Sequence, residues 1–235
     1  QQNIPQLNEN MKKGYDRFSS GLSTKFSIDY KYYHPKGRFL ISSGVNYTAA
    51  YTKNDRSYNY ANNEFLLTSQ LWITGEIYTR RCDLVGFVNG LPLVFIELKN
   101  THRNVRDAYD ENLRDYKNTV PQLFCYNATI ILSNGSQSKI GTITSSWEHF
   151  SDWKKVSDEK ETAKVSLERM LDGTCDPQRL LDIIENFTIF SEIRSNKAKI
   201  VAKNHQYLGV NAAIERIKSG QSFDGKLGVF WHTQG

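Results

Sequence analysis

The stretch Arg81-Cys-Asp-Leu-Val-Gly-Phe-Val-Asn-Gly-Leu-Pro-Leu-Val-Phe-Ile-Glu-Leu-Lys-Asn100 decides the fold of this chain. Two apolar runs flank Asn89-Gly90, a dipeptide favoured in hairpin turns because both residues tolerate positive φ. The four residues Leu93 to Ile96 are apolar on both alternating faces, as expected of a central strand covered on both sides. Charged residues stand where such strands normally stay apolar: Asp83 opens the first run, and Glu97 and Lys99 close the second. The pattern predicts a β-hairpin with a cluster of charge at its open end.

Side chains alternate across a strand, so Glu97 and Lys99 share one face. Whether Asp83 joins them depends on the turn. A two-residue Asn89-Gly90 loop pairs Val88 with Leu91 and sets Asp83 opposite Ile96, on the wrong face. A three-residue loop, Val88-Asn89-Gly90 with Gly90 left-handed, pairs Phe87 with Leu91. Asp83 then lies opposite Phe95 and diagonal to Glu97. A shared site therefore predicts a loop of odd length.

Two carboxylates and a carbonyl are hard oxygen ligands suited to Mg²⁺. An ion held by Asp83 and Glu97 can polarise a phosphodiester and lower the pKa of attacking water. Lys99 beside it is placed to orient that water or to stabilise charge developing on phosphate. The chemistry is that of a metal-dependent nuclease. An ordinary solvated ion pair of Glu97 with Lys99 is the competing interpretation, since Glu-x-Lys alone is common. The apolar strand before it, the turn and the acid opening the partner strand favour the nuclease.

Around this hairpin the chain alternates strands and helices in an α/β pattern. Lys25 to Tyr33 has partial strand alternation, with basic and aromatic residues interleaved. It suits an exposed strand face or a surface that stacks bases. A strand is predicted over Glu64–Ile73. A helix follows the hairpin from Thr101, a candidate N-cap, to Val120 before Pro121. Ala128–Leu132 reads as a strand ending in the Asn134-Gly135 turn, with Lys139–Thr144 returning beside it. Trp147, Phe150 and Trp153 recur every three residues and predict a core-facing helical turn. Helices are expected over Glu161–Asp172 with Gly173 as C-cap, from Asp176-Pro177 to Phe187, and from about His205 to Lys218. Lys197, Lys199 and Lys203 form a basic cluster before the last. Leu227–Trp231 reads as a buried strand.

Composition permits a nucleic-acid partner without requiring one. The net charge is +5, from 30 basic and 25 acidic side chains, and 39% of residues are hydrophobic. No apolar run approaches the ~18 residues that span a bilayer. No signal-peptide pattern opens the chain, and it begins at Gln1 rather than Met. Cys82, Cys125 and Cys175 are odd in number and far apart, which suits neither a disulfide framework nor a zinc site. A reducing cytoplasm is the expectation.

Asp83 followed by Glu97-Leu98-Lys99 after an apolar strand resembles the PD-(D/E)xK nuclease superfamily. The fuller text from Asp83 to Asn100 closely resembles the R (restriction) subunit of type I restriction-modification enzymes. The likeness continues in Pro121–Phe124, Ser133–Gly135, Trp153-Lys154 and Asn186-Phe187, covering roughly residues 64–235. Cys82 stands where the family usually has proline, a position expected to support a turn. The family's Gln-x-x-x-Tyr helix motif falls on Asn112 and Tyr116, four residues apart and on one helix face. Asn112 keeps the amide but is one methylene shorter, and it also reads as a plain solvated helix residue.

The resemblance implies a restriction-endonuclease-like mixed sheet flanked by helices over residues 1–190. Residues 191–235 would be a linker and the start of a RecA-like ATP motor, with Gln206 reading adenine and His232–Gly235 beginning a phosphate loop. That loop lacks its lysine here, so the present chain is not expected to hydrolyse ATP. The implied activity is Mg²⁺-dependent cleavage of double-stranded DNA, coupled in the whole subunit to ATP-driven translocation. The implied partners are the methyltransferase (M) and specificity (S) subunits. Asp83, Glu97 and Lys99 would be catalytic. A solitary repair or junction nuclease, and a nuclease-like docking module without activity, are the alternatives. The motor-like residues oppose the first and the complete Asp-Glu-Lys set opposes the second.

Overall fold

The computed structural model describes strands at 24–33 and 40–49, and residues 62–219 apart from 159, 194 and 195. The strand expected over Leu227–Trp231 and the loop at His232–Gly235 lie outside the described residues. Near the N-terminus, β1 (Thr24–Tyr33) pairs antiparallel with β2 (Leu40–Ala49). The main sheet comprises β3 (Phe65–Thr74), β4 (Thr79–Val88), β5 (Leu91–Leu98), β6 (Thr129–Ser133) and β7 (Ser138–Gly141), in that spatial order. Neighbours run antiparallel except β5 and β6, which are parallel. A parallel pair needs a crossover, and the helical segment between β5 and β6 supplies it.

That segment is α1, a continuous run of Val105–Asp107, Ala108–Leu113 and Arg114–Thr119. Its middle part is a π-helical stretch. The N-cap is Asn104, whose side chain accepts a hydrogen bond from the Arg106 N–H, rather than Thr101. Both are capping residue types. Thr101 instead lies in a turn closed by Asn100, whose carboxamide accepts from the His102 N–H.

The sheet is covered on both sides. On one face Val85, Phe95, Ile130 and Leu132 pack with Val105, Leu113 and Tyr116 of α1 and with Phe150. On the other, Val94, Ile96 and Ile131 pack with Trp153, with Met170 of α2 (Leu167–Thr174) and with Leu180 and Ile183 of α3 (Pro177–Asn186). Tyr207 and Leu208 of α4 (Asn204–Lys218) join this second cluster. Each fully buried aliphatic side chain contributes about 1.5–3 kcal/mol relative to exposure. All of β6 is buried, which places it with β5 at the centre of the molecule.

Three expectations need correction. The aromatic triplet is not one helical turn. A short 3₁₀ turn, Trp147–His149, is followed by a bridge between Ser151 and Ile140, so Phe150 enters the first cluster and Trp153 the second. Helix α2 starts at Leu167, capped by Ser166, not at Glu161. Glu161 accepts the main-chain N–H groups of Val156, Ser157 and Asp158 and thereby organises a loop. Gly173 lies inside α2 rather than ending it, because Trp153 rests on it: a Cβ there would sit 2.1 Å from the indole nitrogen. The Asp176 cap of α3 is as expected, its carboxylate accepting from the Arg179 N–H. Ahead of α4, Lys197 and Lys199 lie on β9 (Asn196–Val201), which pairs antiparallel with β8 (Thr188–Ile193), and Lys203 is the N-cap of α4.

Candidate active site

The turn joining β4 to β5 has two residues, since Val88 pairs with Leu91. Asn89 (φ 52°) and Gly90 (φ 79°) both take the left-handed conformation, as the hairpin-favouring dipeptide predicts. The expected loop of odd length is therefore absent. Such a turn alone would put Asp83 and Glu97 on opposite faces. A β-bulge supplies the missing residue: Phe87 pairs with Pro92, but Gly86 pairs with Val94, leaving Leu93 extra. Beyond the bulge Leu84 pairs with Ile96, so the register sets Asp83 across from Glu97 rather than diagonal to it. Leu93 and Val94 both face the second cluster as a result.

Pro92 was the available signal for this device. Proline inside a sheet is confined to edges, strand starts and bulges because it lacks an N–H, and here it borders the bulge in a central strand. Cys82 lies in β4 and is fully buried, so its position supports the sheet and not a turn. Burial, then the neighbouring Glu97 and Asp83 carboxylates, push its thiol up to about 12.

Glu97 is 2% exposed, and its Oε2 is buried without a hydrogen-bond partner. Burial, reinforced by the Asp83 charge and only partly offset by Lys99 and the Tyr116 hydroxyl, raises its carboxyl to about 8. Asp83 is half-buried. Its Oδ2 accepts from the Leu98 main-chain N–H at 2.9 Å, and its Oδ1 from the Gln70 carboxamide at 3.3 Å. Lys99 Nζ lies 3.8 Å from Glu97 Oε1 and donates to Asn112 Oδ1. The Lys99 main-chain N–H continues the parallel ladder to the Ser133 carbonyl at 2.7 Å.

Helix α1 completes the wall. The Tyr116 hydroxyl donates to the Arg81 carbonyl at 2.9 Å, and its ring meets Phe95 edge-on at 5.4 Å. Burial raises the Tyr116 phenol, so it stays a neutral donor. Asp115 and Arg80 form a two-pronged ion pair that ties the same helix to β4. The π-helical stretch contains Asn112; such widened turns recur at functional sites. Ser133–Gly135 also proves structural: the Asn134 amide donates to the Arg103 carbonyl at 2.9 Å, steadying the loop between Lys99 and α1.

The structure thus brings Asp83, Glu97, Lys99, Asn112 and Tyr116 together. Gln206 lies apart from them. Its Oε1 accepts from the Lys203 N–H at the start of α4. Gln70 is the neighbour of the site that sequence reasoning missed, since nothing in the pattern of β3 marks one polar residue among several. A cavity of about 630 Å³ elsewhere, bounded by β3–β5, α2 and α3, includes none of these residues.

A divalent ion fits the carboxylate pair. The orphaned Glu97 oxygen is a buried ligand atom lacking a partner, and burying one unsatisfied is costly. Among the described residues no three His, Cys, Asp or Glu side chains converge. Two carboxylates with solvent and main-chain oxygens match the habit of Mg²⁺, which keeps much of its water.

The model of the type I restriction enzyme R protein N terminus matches residues 6–149. The chain belongs to that family. Members with similar sequences include the type I restriction enzyme HindI endonuclease subunit of Haemophilus influenzae, 35% identical over 187 residues. That match takes in 75% of this chain and 18% of the relative. The putative MjaIXP endonuclease subunit of Methanocaldococcus jannaschii is 32% identical over 207 residues, with 75% and 19% covered. A Staphylococcus aureus counterpart, the SauCOLORF180P endonuclease subunit, is 26% identical over 180 residues, with 75% and 18% covered. The chain spans about a fifth of the length of these relatives. No helix among the described residues is long and apolar enough to cross a membrane.

Proposed function

We propose that this chain carries the Mg²⁺-dependent, PD-(D/E)xK-type DNA-cleaving domain of a type I restriction enzyme R subunit. The observation that carries the proposal is the buried, partnerless Glu97 oxygen in register with Asp83 and flanked by Lys99. Asp83 and Glu97 hold the ion, which supplies a Lewis acid for the phosphodiester and acidifies water. The Lys99 ammonium provides positive charge where the scissile phosphate accumulates negative charge. Asn112 holds that ammonium from α1, so the helix sets the direction in which the charge points. Tyr116 locks the same helix to the main chain of β4 two residues before Asp83. The rigid elements fix the groups before DNA arrives, and little reorganisation accompanies the reaction.

In the whole subunit, double-stranded DNA is the substrate and the M and S subunits are the partners. ATP-driven translocation resides outside the nuclease. Gln206 is assigned there to adenine, with residues 191–235 leading into the motor. The same reading puts the domain in the cytoplasm with its DNA.

The test is cleavage by the reconstituted complex. Asp83→Ala, Glu97→Ala and Lys99→Ala are each expected to reduce DNA cleavage by at least about 100- to 1000-fold, with folding and ATPase activity unchanged. Full cleavage by the Lys99→Ala complex refutes the assignment.

A further inference from the structure

Asp83 lies in β4 at an irregularity that the bulge in β5 does not explain. Residues two apart on a strand share a face, yet Cys82 packs in the first core cluster and Leu84 in the second. The same exchange occurs on β3, where Phe65 packs in the second cluster while Leu71 and Ile73 pack in the first. The two strands pair Ser69 with Leu84 and Leu71 with Cys82. Gln70 and Asp83 occupy the position between, where the faces change over.

Gln70 has φ 54°. That left-handed conformation is costly for a residue with a side chain, and glycine would adopt it freely. Such strain concentrates where a surrounding structure uses it. Here it directs the Gln70 carboxamide to Asp83 Oδ1, while the Leu98 N–H takes Oδ2. An exposed 3.3 Å bond to a carboxylate is weak alone. Its importance lies in completing a clamp, with one donor fixed on each oxygen of Asp83. An ionised carboxylate accepts about four hydrogen bonds, so each oxygen retains a lone pair for a cation. An amide holds the group without adding a third negative charge.

We propose that Gln70 is a positioning residue for Asp83, presenting its carboxylate to the divalent ion opposite Glu97. This rests on the two-carboxylate ion site proposed above. Outer residues that orient ligands typically alter affinity 10- to 100-fold when removed.

The experiment measures Mn²⁺ binding by electron paramagnetic resonance, without nucleotide, in the full-length R subunit. It compares the parent with Gln70→Ala, Gln70→Gly and Asp83→Ala, alongside melting temperatures. Gln70→Gly should melt above Gln70→Ala, because glycine relieves the left-handed backbone. Both should nevertheless weaken the Asp83-dependent Mn²⁺ affinity by about tenfold or more. Affinity lost alike in both variants while their melting temperatures differ is an outcome that a merely structural Gln70 does not produce. Parent affinity in either variant overturns the proposal, as does Gly restoring what Ala loses. If Asp83→Ala itself binds Mn²⁺ like the parent, the ion site is refuted and the role of Gln70 with it. If only Asp83→Ala loses the ion, the site stands and Gln70 is dismissed.

Discussion

Asn112 is a methylene shorter than the glutamine its family resemblance leads one to expect, yet its oxygen accepts the Lys99 ammonium. The π-helical stretch around it has a wider turn than an α-helix and sets the local spacing of α1 against the strand end. Asn112→Leu removes the acceptor while keeping the volume, and it should reduce cleavage by about 10- to 100-fold. Asn112→Gln should stay within a few-fold of the parent, since a longer amide can still reach Lys99. Single-turnover cleavage of a plasmid by the reconstituted complex compares them. Equal activity of the Leu and parent complexes refutes the role.

Among the elements, strand β5 was the most legible part. Four consecutive apolar residues between turn signals suit a strand covered on both faces, and Val94, Phe95 and Ile96 are buried in β5. The hairpin turn was legible too, because Asn89-Gly90 suits paired positive φ values. The bulge was missed because face-counting assigned the odd residue to the loop and passed over Pro92. Helix ends were read less well where two signals competed. Gly173 looks like a terminator in sequence, but a partner 20 residues away, Trp153, makes it a close-contact residue. Trp153 is itself fully buried in the second cluster, so its ring has little room to yield. Gly173→Ala should therefore destabilise the domain by roughly 1–3 kcal/mol through overpacking, measured by urea unfolding. Unchanged stability means that Trp153 yields freely. Gln70 had no sequence signature, because its role depends on a backbone angle rather than on a residue pattern.

For the molecule as a whole, two carboxylates set opposite limbs of a pH profile. Glu161 is held down to about 2, chiefly by the Val156 and Ser157 N–H groups. Its folded value lies below its unfolded one, so it stabilises fully above about pH 4.5 and the contribution is lost as pH falls toward 2. Glu97 is shifted the other way, to about 8. Its contribution is fully present below about pH 4.5 and is lost as pH rises to 8, where the folded protein must ionise a buried acid. Without divalent ions, thermal stability should peak on the acid side of neutrality. Glu161→Gln should flatten the acid limb and Glu97→Gln the alkaline one, raising the melting temperature at pH 8. An unaltered alkaline limb in Glu97→Gln contradicts the proposed environment of that group.

The bulge at Leu93 also separates the hairpin tip from the chemistry. Register on the site side is fixed by the Gly86–Val94 and Leu84–Ile96 pairs. The tip beyond it is tied separately, through Asn89 to the main chain of Glu64. Residues inserted between Asn89 and Gly90 therefore lengthen the tip without turning Asp83 away from Glu97. That makes the tip a natural grafting point for a fluorophore or an affinity handle, at the cost of the Asn89 bonds to Glu64 and Asn63.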